Sequence, residues 1–107
     1  MSIVKMIYRL SKLLPKEERY GLTSQMCRAA VSLPSNIAEG CSRNSDADFC
    51  RFLEMALGSL FELETQLLVV QDLHYAPIDK IEPILNEVIE EEKMISRFII
   101  KLRGKKS

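Results

Sequence analysis

Apolar residues recur along this chain at the intervals of three and four that are typical of amphipathic α-helices, and the pattern predicts four helices. They cover about residues 2–14, 22–41, 45–73 and 79–103. Pro15 ends the first helix, Gly40 and the polar residues after it end the second, and Pro77 lies in the turn before the fourth. No segment shows the alternation of a β-strand. The sequence therefore predicts an all-α fold, one antiparallel up-down four-helix bundle over residues 1–107.

The fourth helix shows the core-facing pattern most clearly, because an apolar residue recurs at every seventh position. These residues are Ile81, Val88, Ile95 and Leu102. Asp79 is a candidate N-cap for this helix, and its acidic run Glu90 to Glu92 is interpreted as a solvated face. Ser45 and Asp48 match a capping box, which predicts the start of the third helix.

The second helix carries its polar residues in one narrow stripe. The stripe consists of Arg28, Ser32, Ser35, Asn36, Glu39 and Arg43. The other positions are apolar or small, and they cover more than the roughly 100° that a surface helix buries against one core. We therefore expect this helix to be buried on two sides, the second side against another copy of the chain. Pro34 also lies inside it, and Ser32, Ser35 or Asn36 are expected to bond the carbonyl that Pro34 frees.

The third helix has a similarly broad apolar face, and Glu64 interrupts it because the helical wheel places this residue among leucines. A buried carboxylate needs a charged or hydrogen-bonding partner, and the second helix offers Arg28, Asn36 or Arg43. We interpret Glu64 as half of a structural ion pair, with a proton-transfer carboxylate as the alternative. The candidates for a subunit interface or a buried polar network are Arg28, Ser32, Asn36, Glu39, Arg43, Arg51, Glu62 and Glu64.

Composition and charge limit the classes of partner. The 15 basic residues balance the 15 acidic ones, so no overall charge favours nucleic acid or an anionic membrane. No apolar run approaches the roughly 20 residues of a membrane span, and the N-terminal residues lack a signal-peptide core. We therefore expect a cytoplasmic protein without a membrane partner. Cys27, Cys41 and Cys50 match neither a disulfide framework nor a zinc site, and we expect reduced, mostly buried thiols.

Sequence patterns that support catalysis are missing. His74 is the only histidine and lies near a predicted helix end, so neither a nucleophilic triad nor paired Glu-x-x-His ligands can form. The sequence also lacks a phosphate loop and a dinucleotide fingerprint. We therefore expect no catalytic residue, no metal and no cofactor, and a function in protein contact rather than catalysis.

Residues 22–26, 28–40 and 52–66 resemble a family of bacterial four-helix bundle proteins first noticed in intervening sequences of large-subunit ribosomal RNA genes. The string Ser-x-Pro-Ser-Asn-Ile-Ala-Glu-Gly at residues 32–40 is the most specific part of the match. The related accessory proteins of diversity-generating retroelements look like pentameric barrels with basic surfaces, which bind a reverse transcriptase and nucleic acid. The resemblance thus implies a homopentamer and a nucleic-acid-processing protein as a further partner. This chain differs from them in its zero net charge and in a first helix that starts almost at Met1.

Two basic clusters are the candidate nucleic-acid contacts. They follow the first helix and the C-terminus, and consist of Lys5, Arg9, Lys12, Lys16, Lys101, Arg103, Lys105 and Lys106. In an up-down bundle the start of the first helix and the end of the fourth lie near the same end, so we expect the clusters to merge. No aromatic residue is interleaved to stack bases, and binding would be to backbone phosphates.

Two functions of different class therefore remain open. The first is a homo-oligomeric scaffold or adaptor, assembled as a ring with five copies favoured. The second is an accessory protein that binds an RNA or DNA backbone through the two basic clusters. An enzyme is the least favoured class, because the sequence offers no complementary catalytic groups.

Overall fold

The computed structural model describes residues 2–104, and these fold into four α-helices. The helices are α1 (Ile3–Ser11), α2 (Leu22–Cys41), α3 (Asp46–Asp72) and α4 (Ile78–Gly104), with a short 3-10 helix at Lys16–Glu18. Each helix packs against the next, and α4 packs back against α1, so the four enclose one core in chain order. Residues 2–104 contain no strand. The predicted all-α antiparallel four-helix bundle is confirmed.

The core of the bundle is formed by the apolar rows that the sequence pattern indicates. Its largest fully buried side chains are Ile7, Met26, Leu53, Leu60, Leu63, Leu67, Val70, Ile81 and Val88. The seven-residue row of α4 is buried throughout, and Ile84 and Ile99 fill the positions between its members. The neighbouring Phe98 remains exposed on the surface. The seam predicted for the fourth helix is therefore confirmed.

Helix α1 is shorter than predicted, because it ends at Ser11 rather than at Leu14. The cause is Pro15, whose ring clashes with the carbonyl of the residue four positions earlier in a continuing helix. That residue is Ser11. At its other end the Ser2 side chain caps α1 by accepting a hydrogen bond from the Lys5 amide at 3.3 Å. At 1.5 Å per residue α1 is roughly 13 Å long, about a third of α3 or α4.

Helix α1 covers only one half of the bundle. Its first residues lie beside Leu33 and Ile37 of α2 and Glu91 of α4, and its last turn lies beside Asp79 and Pro83. The C-terminal part of α4 therefore extends beyond α1, and that half of the molecule is built from three helices. Its core is closed by the edge-to-face contact of Phe49 and Phe98, whose ring centroids are 5.3 Å apart.

Gly40 lies inside α2, which continues to Cys41, and it is buried against α3. A Cβ atom at this position would lie 2.9 Å from Cδ1 of Phe49 and 3.0 Å from Cβ of Phe52. The predicted bounds of the second helix, residues 22–41, are confirmed, and Gly40 is its penultimate residue. The missing side chain of Gly40 also lets α2 approach the first turns of α3 closely.

Pro34 is accommodated within α2, on the exposed surface of the helix. Ser32 Oγ donates to the carbonyl of Ala29 at 2.8 Å, and Asn36 Nδ2 donates to the carbonyl of Ser32 at 2.9 Å. The carbonyl freed by Pro34 belongs to Ala30, four residues earlier. The expected bonds from Ser32 and Asn36 to that carbonyl are therefore wrong, because both groups bond elsewhere.

The ends of α3 follow the capping signals in the sequence. Ser45 is the N-cap, and its hydroxyl accepts a hydrogen bond from the Asp48 amide at 3.1 Å, as predicted. At the other end His74 has a positive φ of 57°. The His74 and Tyr75 amides donate to the carbonyls of Gln71 and Val70 at 3.1 and 3.0 Å. These two bonds form a Schellman motif, so His74 is a helix-end residue as interpreted.

The structure corrects two further expectations, one about Asp79 and one about the cysteines. Asp79 lies in the first turn of α4, which begins at Ile78, and is therefore not its cap. Cys50 is buried and Cys27 half-buried, but Cys41 is exposed, so the expectation of mostly buried thiols is wrong for Cys41. None of the helices formed by residues 2–104 is both long enough and apolar enough to cross a membrane.

Candidate interaction surfaces

A polar contact crosses the seam between α2 and α3. Ser32 Oγ and Ser59 Oγ lie 2.5 Å apart, and Ser59 is buried. Each hydroxyl also lies near a carbonyl of its own helix, that of Ala29 for Ser32 and that of Met55 for Ser59. One hydroxyl donates across the seam, and the hydroxyl that accepts this bond donates to the carbonyl of its own helix. The sequence indicated Ser32 but gave no signal for Ser59, because a serine on an apolar helix face is ordinary.

Two further residues of the predicted polar set line a groove beside this contact. Arg28 of α2 and Glu62 of α3 lie on its walls together with Gln25, Ala29 and Ser32, and its volume is about 450 Å³. Both charged side chains are exposed. The groove therefore carries one cation and one anion at the surface, above the buried serine contact.

A separate cluster surrounds the aromatic ring of Phe52, where α2 ends and α3 begins. The guanidinium carbon atoms of Arg43 and Arg51 lie 4.7 and 5.1 Å from the ring centroid. Arg43 also donates to Glu39 at 2.7 Å, and Arg51 lies 3.7 Å from Asp48. Exposed ion pairs of this kind contribute ~0–1 kcal/mol each. Phe52, which is absent from the predicted set, is the centre of the cluster because both cations face its ring.

Glu64 lies apart from both groups, half-buried and against Glu92 of α4. Glu92 is only 9% exposed, so the interpretation of the acidic run as a solvated face is wrong for this residue. The three candidate partners of Glu64 on α2 lie elsewhere: Asn36 bonds Ser32, Arg43 bonds Glu39, and Arg28 lines the groove with Glu62. The partner is a second carboxyl group rather than a cation. Burial, a hydrogen bond with Glu64 and the charge of Glu64 raise the pKa of Glu92 to about 7.

One further carboxylate closes the end of the bundle near the α3–α4 turn. Glu18 Oε1 accepts from the Leu22 amide at 3.1 Å, and Glu18 Oε2 accepts from the Tyr75 hydroxyl at 3.0 Å. The hydrogen bond that Tyr75 donates to Glu18 raises the pKa of Tyr75 above its usual value. This contact joins residues 57 positions apart, and no local sequence signal could have revealed it.

Exposed apolar side chains form a surface that we name the α1–α2 face. It is defined by Tyr8, Ser24, Cys27, Val31 and Ser35, which line an open groove of about 590 Å³. Tyr8 is 46% exposed and Val31 is 42% exposed. Between them lie small side chains, so another helix can approach this face closely. The face combines Cys27 and Val31 of the predicted apolar arc with Ser35 of the predicted polar stripe.

A second apolar surface, the α3–α4 face, is defined by Phe61, Leu68, Ile78 and Ile100. Phe61 and Leu68 are seven residues apart on α3 and are both about half exposed. Leu68 and Ile78 line the same cavity at the end of the two helices. Ile100 is largely exposed and lies three residues before Arg103, which bonds Glu54 of α3. Because the helices pack in chain order, this face lies opposite the α1–α2 face.

Within residues 2–104, the basic residues of the predicted nucleic-acid contacts do not come together. Helix α1 starts beside Glu91, roughly 15 Å along α4 from Lys101, and it runs away from that end. Arg9 lies beside Asp79 and Lys80 at the opposite end of α4. The expectation that the two clusters merge is therefore wrong, because α1 begins at the middle of the bundle. Lys5, Lys12, Lys16 and Lys101 are exposed, and Lys105 and Lys106 lie outside the described residues.

Taken together, the fold and its surfaces define a small four-helix bundle protein with two opposite apolar faces. Within residues 2–104, no three His, Cys, Asp or Glu side chains come together as a metal site would require. The chain belongs to the family described as 23S rRNA-intervening sequence protein, whose model matches residues 1–97. The resemblance seen in the sequence is thereby confirmed for this family, and the relation to retroelement accessory proteins stays a prediction.

A solved relative has the same fold along nearly its whole length. It is the crystal structure of a protein with unknown function from the S23 ribosomal protein family of Bacteroides thetaiotaomicron VPI-5482. The sequences are 28% identical, the match covers 91% of each chain, and the TM-score is 0.83. A search of curated proteins finds no match.

Proposed function

We propose that this protein is a non-enzymatic, homo-oligomeric scaffold or adaptor whose copies join through the α1–α2 face and the α3–α4 face. The observation that supports this best is the exposure of large apolar side chains on both faces, with Val31 on one and Phe61 on the other. Exposed apolar surface that is continuous and rimmed by polar residues is typical of protein contact sites. The rim of the α1–α2 face includes Arg28 and Ser32.

The forms of the two faces support a contact between them. The α1–α2 face is a groove with small residues at its centre, whereas the α3–α4 face presents Phe61 and Leu68 as projecting side chains. Aromatic and aliphatic anchors that enter a groove contribute most of the free energy of binding in many interfaces. We therefore propose that the α3–α4 face of one copy enters the α1–α2 groove of the next.

Opposite faces lead to a head-to-tail arrangement, because each copy uses one face toward each neighbour. Such heterologous contacts close into a ring or continue as a filament. A ring of five copies is the assembly that the family resemblance implies. A cytoplasmic location belongs to the same proposal, since three free cysteines fit a reducing compartment.

Light scattering across a dilution series tests the assembly directly. We expect a mass near five times the chain mass of 12.3 kDa, unchanged by dilution. Val31→Arg and Phe61→Arg each place a charge in one proposed contact, and we expect both variants to lose the oligomer while keeping their helical circular dichroism. Tyr20→Arg is the matched control, since Tyr20 is 89% exposed and lies outside both faces. A wild-type monomer at all concentrations would overturn the proposal.

Mixing the two variants tests the head-to-tail geometry. The Val31→Arg chain keeps an intact α3–α4 face, and the Phe61→Arg chain keeps an intact α1–α2 face. An equimolar mixture is therefore expected to form a pair with one copy of each chain. If copies instead met through a single face, only one of the variants would dissociate, and the head-to-tail arrangement would be wrong.

The nucleic-acid alternative has less support in the charge distribution. Arg103 bonds Glu54, Arg9 lies beside Asp79, and Glu91 lies where the two basic clusters were expected to merge. Acidic groups among the basic ones weaken attraction to a phosphate backbone. Protein contact is therefore the function that we propose.

A further inference from the structure

The contact between Glu64 and Glu92 is unusual, because it brings two carboxyl groups together from antiparallel helices. Glu92 occupies the buried row of α4 between Val88 and Ile95, and it is 9% exposed. Its Oε2 atom is buried without a hydrogen-bond partner. A buried polar atom in this state is costly unless a proton or a partner satisfies it.

A single proton would satisfy this contact. Ionised carboxylates have only acceptor atoms, so two of them cannot form a hydrogen bond. When one carboxyl carries a proton, it donates to the other, and the repulsion between two like charges disappears. Loss of that proton to solvent leaves two negative charges facing each other across the seam between α3 and α4.

We propose that Glu64 and Glu92 form a pH-sensitive contact, which holds α3 against α4 while the pair shares one proton and loosens this seam when both carboxyl groups are ionised. The contact lies within one copy of the chain and does not depend on the proposed assembly. Glu64 lies on α3 between Phe61 and Leu68, beside the α3–α4 face rather than among its defining residues.

Among residues 2–104, the ion pairs of Arg43, Arg51 and Arg103 are formed with other acidic residues than Glu64 and Glu92. On α3, Glu64 is the charged group that acts on Glu92. On α4 itself, Glu91 is half-buried beside α1, and Lys93 is exposed. Helix α1, the other helix packed on α4, has Lys5 exposed. A shared proton, rather than a neighbouring cation, therefore relieves the repulsion between Glu64 and Glu92.

The direction of the pH effect follows from linkage. Burial, as the larger cause, and the hydrogen bond with Glu64 raise the pKa of Glu92 to about 7. A glutamate in an unfolded chain has a pKa of about 4.3. Between these values the folded state holds a proton that the unfolded state has lost. Stability therefore falls as pH rises through this interval, and the whole loss is present above about pH 7.

Urea unfolding between about pH 5.5 and pH 8 tests the proposal. Glu92→Gln supplies a permanent donor to Glu64 and carries no charge, so this variant mimics the protonated pair. One linked proton changes the unfolding constant by at most tenfold per pH unit. We expect the wild-type constant to rise by roughly tenfold or more across the interval, and that of Glu92→Gln to rise much less. Glu90→Gln is the matched control, since Glu90 is exposed on the same helix and loses the same charge.

The expected result is that Glu92→Gln is more stable than Glu90→Gln at pH 8 and that the difference shrinks at pH 5.5. Equal pH profiles for these two variants would overturn the proposal. A second measurement needs no unfolding: the carboxyl carbon of Glu92, followed by NMR in the wild-type chain, should titrate near pH 7. A midpoint below about pH 5, as in ordinary glutamates, would also overturn it.

Discussion

Two glycines occupy helix interiors in this protein, and their surroundings differ. Gly40 lies against Phe49 and Phe52 at distances that leave no room for a Cβ atom, whereas nothing lies within 4 Å of a Cβ atom built at Gly58. Glycine is a poor helix former at both positions, by about 1 kcal/mol relative to alanine. The absence of a side chain therefore allows close helix packing at Gly40, whereas it allows no such contact at Gly58.

Substitution by alanine separates these two roles. We expect Gly40→Ala to destabilise the protein by about 1–3 kcal/mol, because the cost of the overpacked contact exceeds the gain in helix propensity. Gly58→Ala should instead stabilise it by ~0.5–1 kcal/mol. Urea unfolding of both variants measures the two values. Equal effects of the same sign would contradict the close approach at Gly40.

At the residue scale, the sequence predicts faces better than it predicts neighbours. The wheel correctly placed Ile81, Val88 and Ile95 in the core, because an apolar residue has the same preference against any partner. It placed Glu64 on an inward side but could not say that α4 would face it. The same pattern brings Glu92 into the row between Val88 and Ile95, but the carboxyl group that it meets on α3 could not be predicted, because that contact is tertiary.

At the element scale, α3 ends in an unfavourable backbone conformation that a single substitution relieves. His74 adopts a positive φ of 57° in the Schellman motif, a conformation that favours glycine. We expect His74→Gly to stabilise the protein by ~0.5–1 kcal/mol. His74→Ala keeps the unfavourable backbone conformation and should bring no such gain. Thermal unfolding compares them, and a gain from alanine equal to that from glycine would mean that the imidazole ring, rather than the backbone, is unfavourable.

The existence of each helix was predictable from periodicity, and so was the Ser45 cap, because these signals are local. The residue at which α1 ends was less predictable. The effect of Pro15 on α1 reaches back four residues to Ser11, although the apolar pattern itself continues to Leu14. The end of α2 at Cys41 was predicted, but the packing of Gly40 against α3 was not, because a tertiary contact cannot be seen in a local pattern.

At the scale of the whole molecule, four amphipathic stretches with short turns were enough to predict the bundle. The positions of charged and apolar surfaces on the bundle could not be predicted from these stretches alone. The two basic clusters were expected to meet, but the short α1 begins beside Glu91 and leaves them apart. The α1–α2 face matches the predicted arc only in part, because Cys27 and Val31 belong to that arc and Ser35 belongs to the predicted polar stripe.

The separation of the basic clusters leads to a prediction for nucleic acid. We expect labelled RNA to give no salt-sensitive complex with the wild-type protein at about 0.15 M salt, because acidic groups interrupt the basic surface. Changing Lys5, Arg9, Lys12 and Lys16 together to glutamate should leave the oligomer mass unchanged. A gel-shift titration and light scattering make these measurements. RNA binding by the wild type that the fourfold variant loses would favour the second function instead.

The short α1 also makes the two ends of the molecule mechanically unequal. At one end four helices meet, and Glu18 ties the start of α2 to Tyr75 beyond α3. At the other end three helices remain, closed by Phe49 and Phe98 and covered by arginines over Phe52. Segments with fewer buried contacts open at lower free energy. We therefore expect the end without α1 to open at a lower free energy than the end where α1 packs.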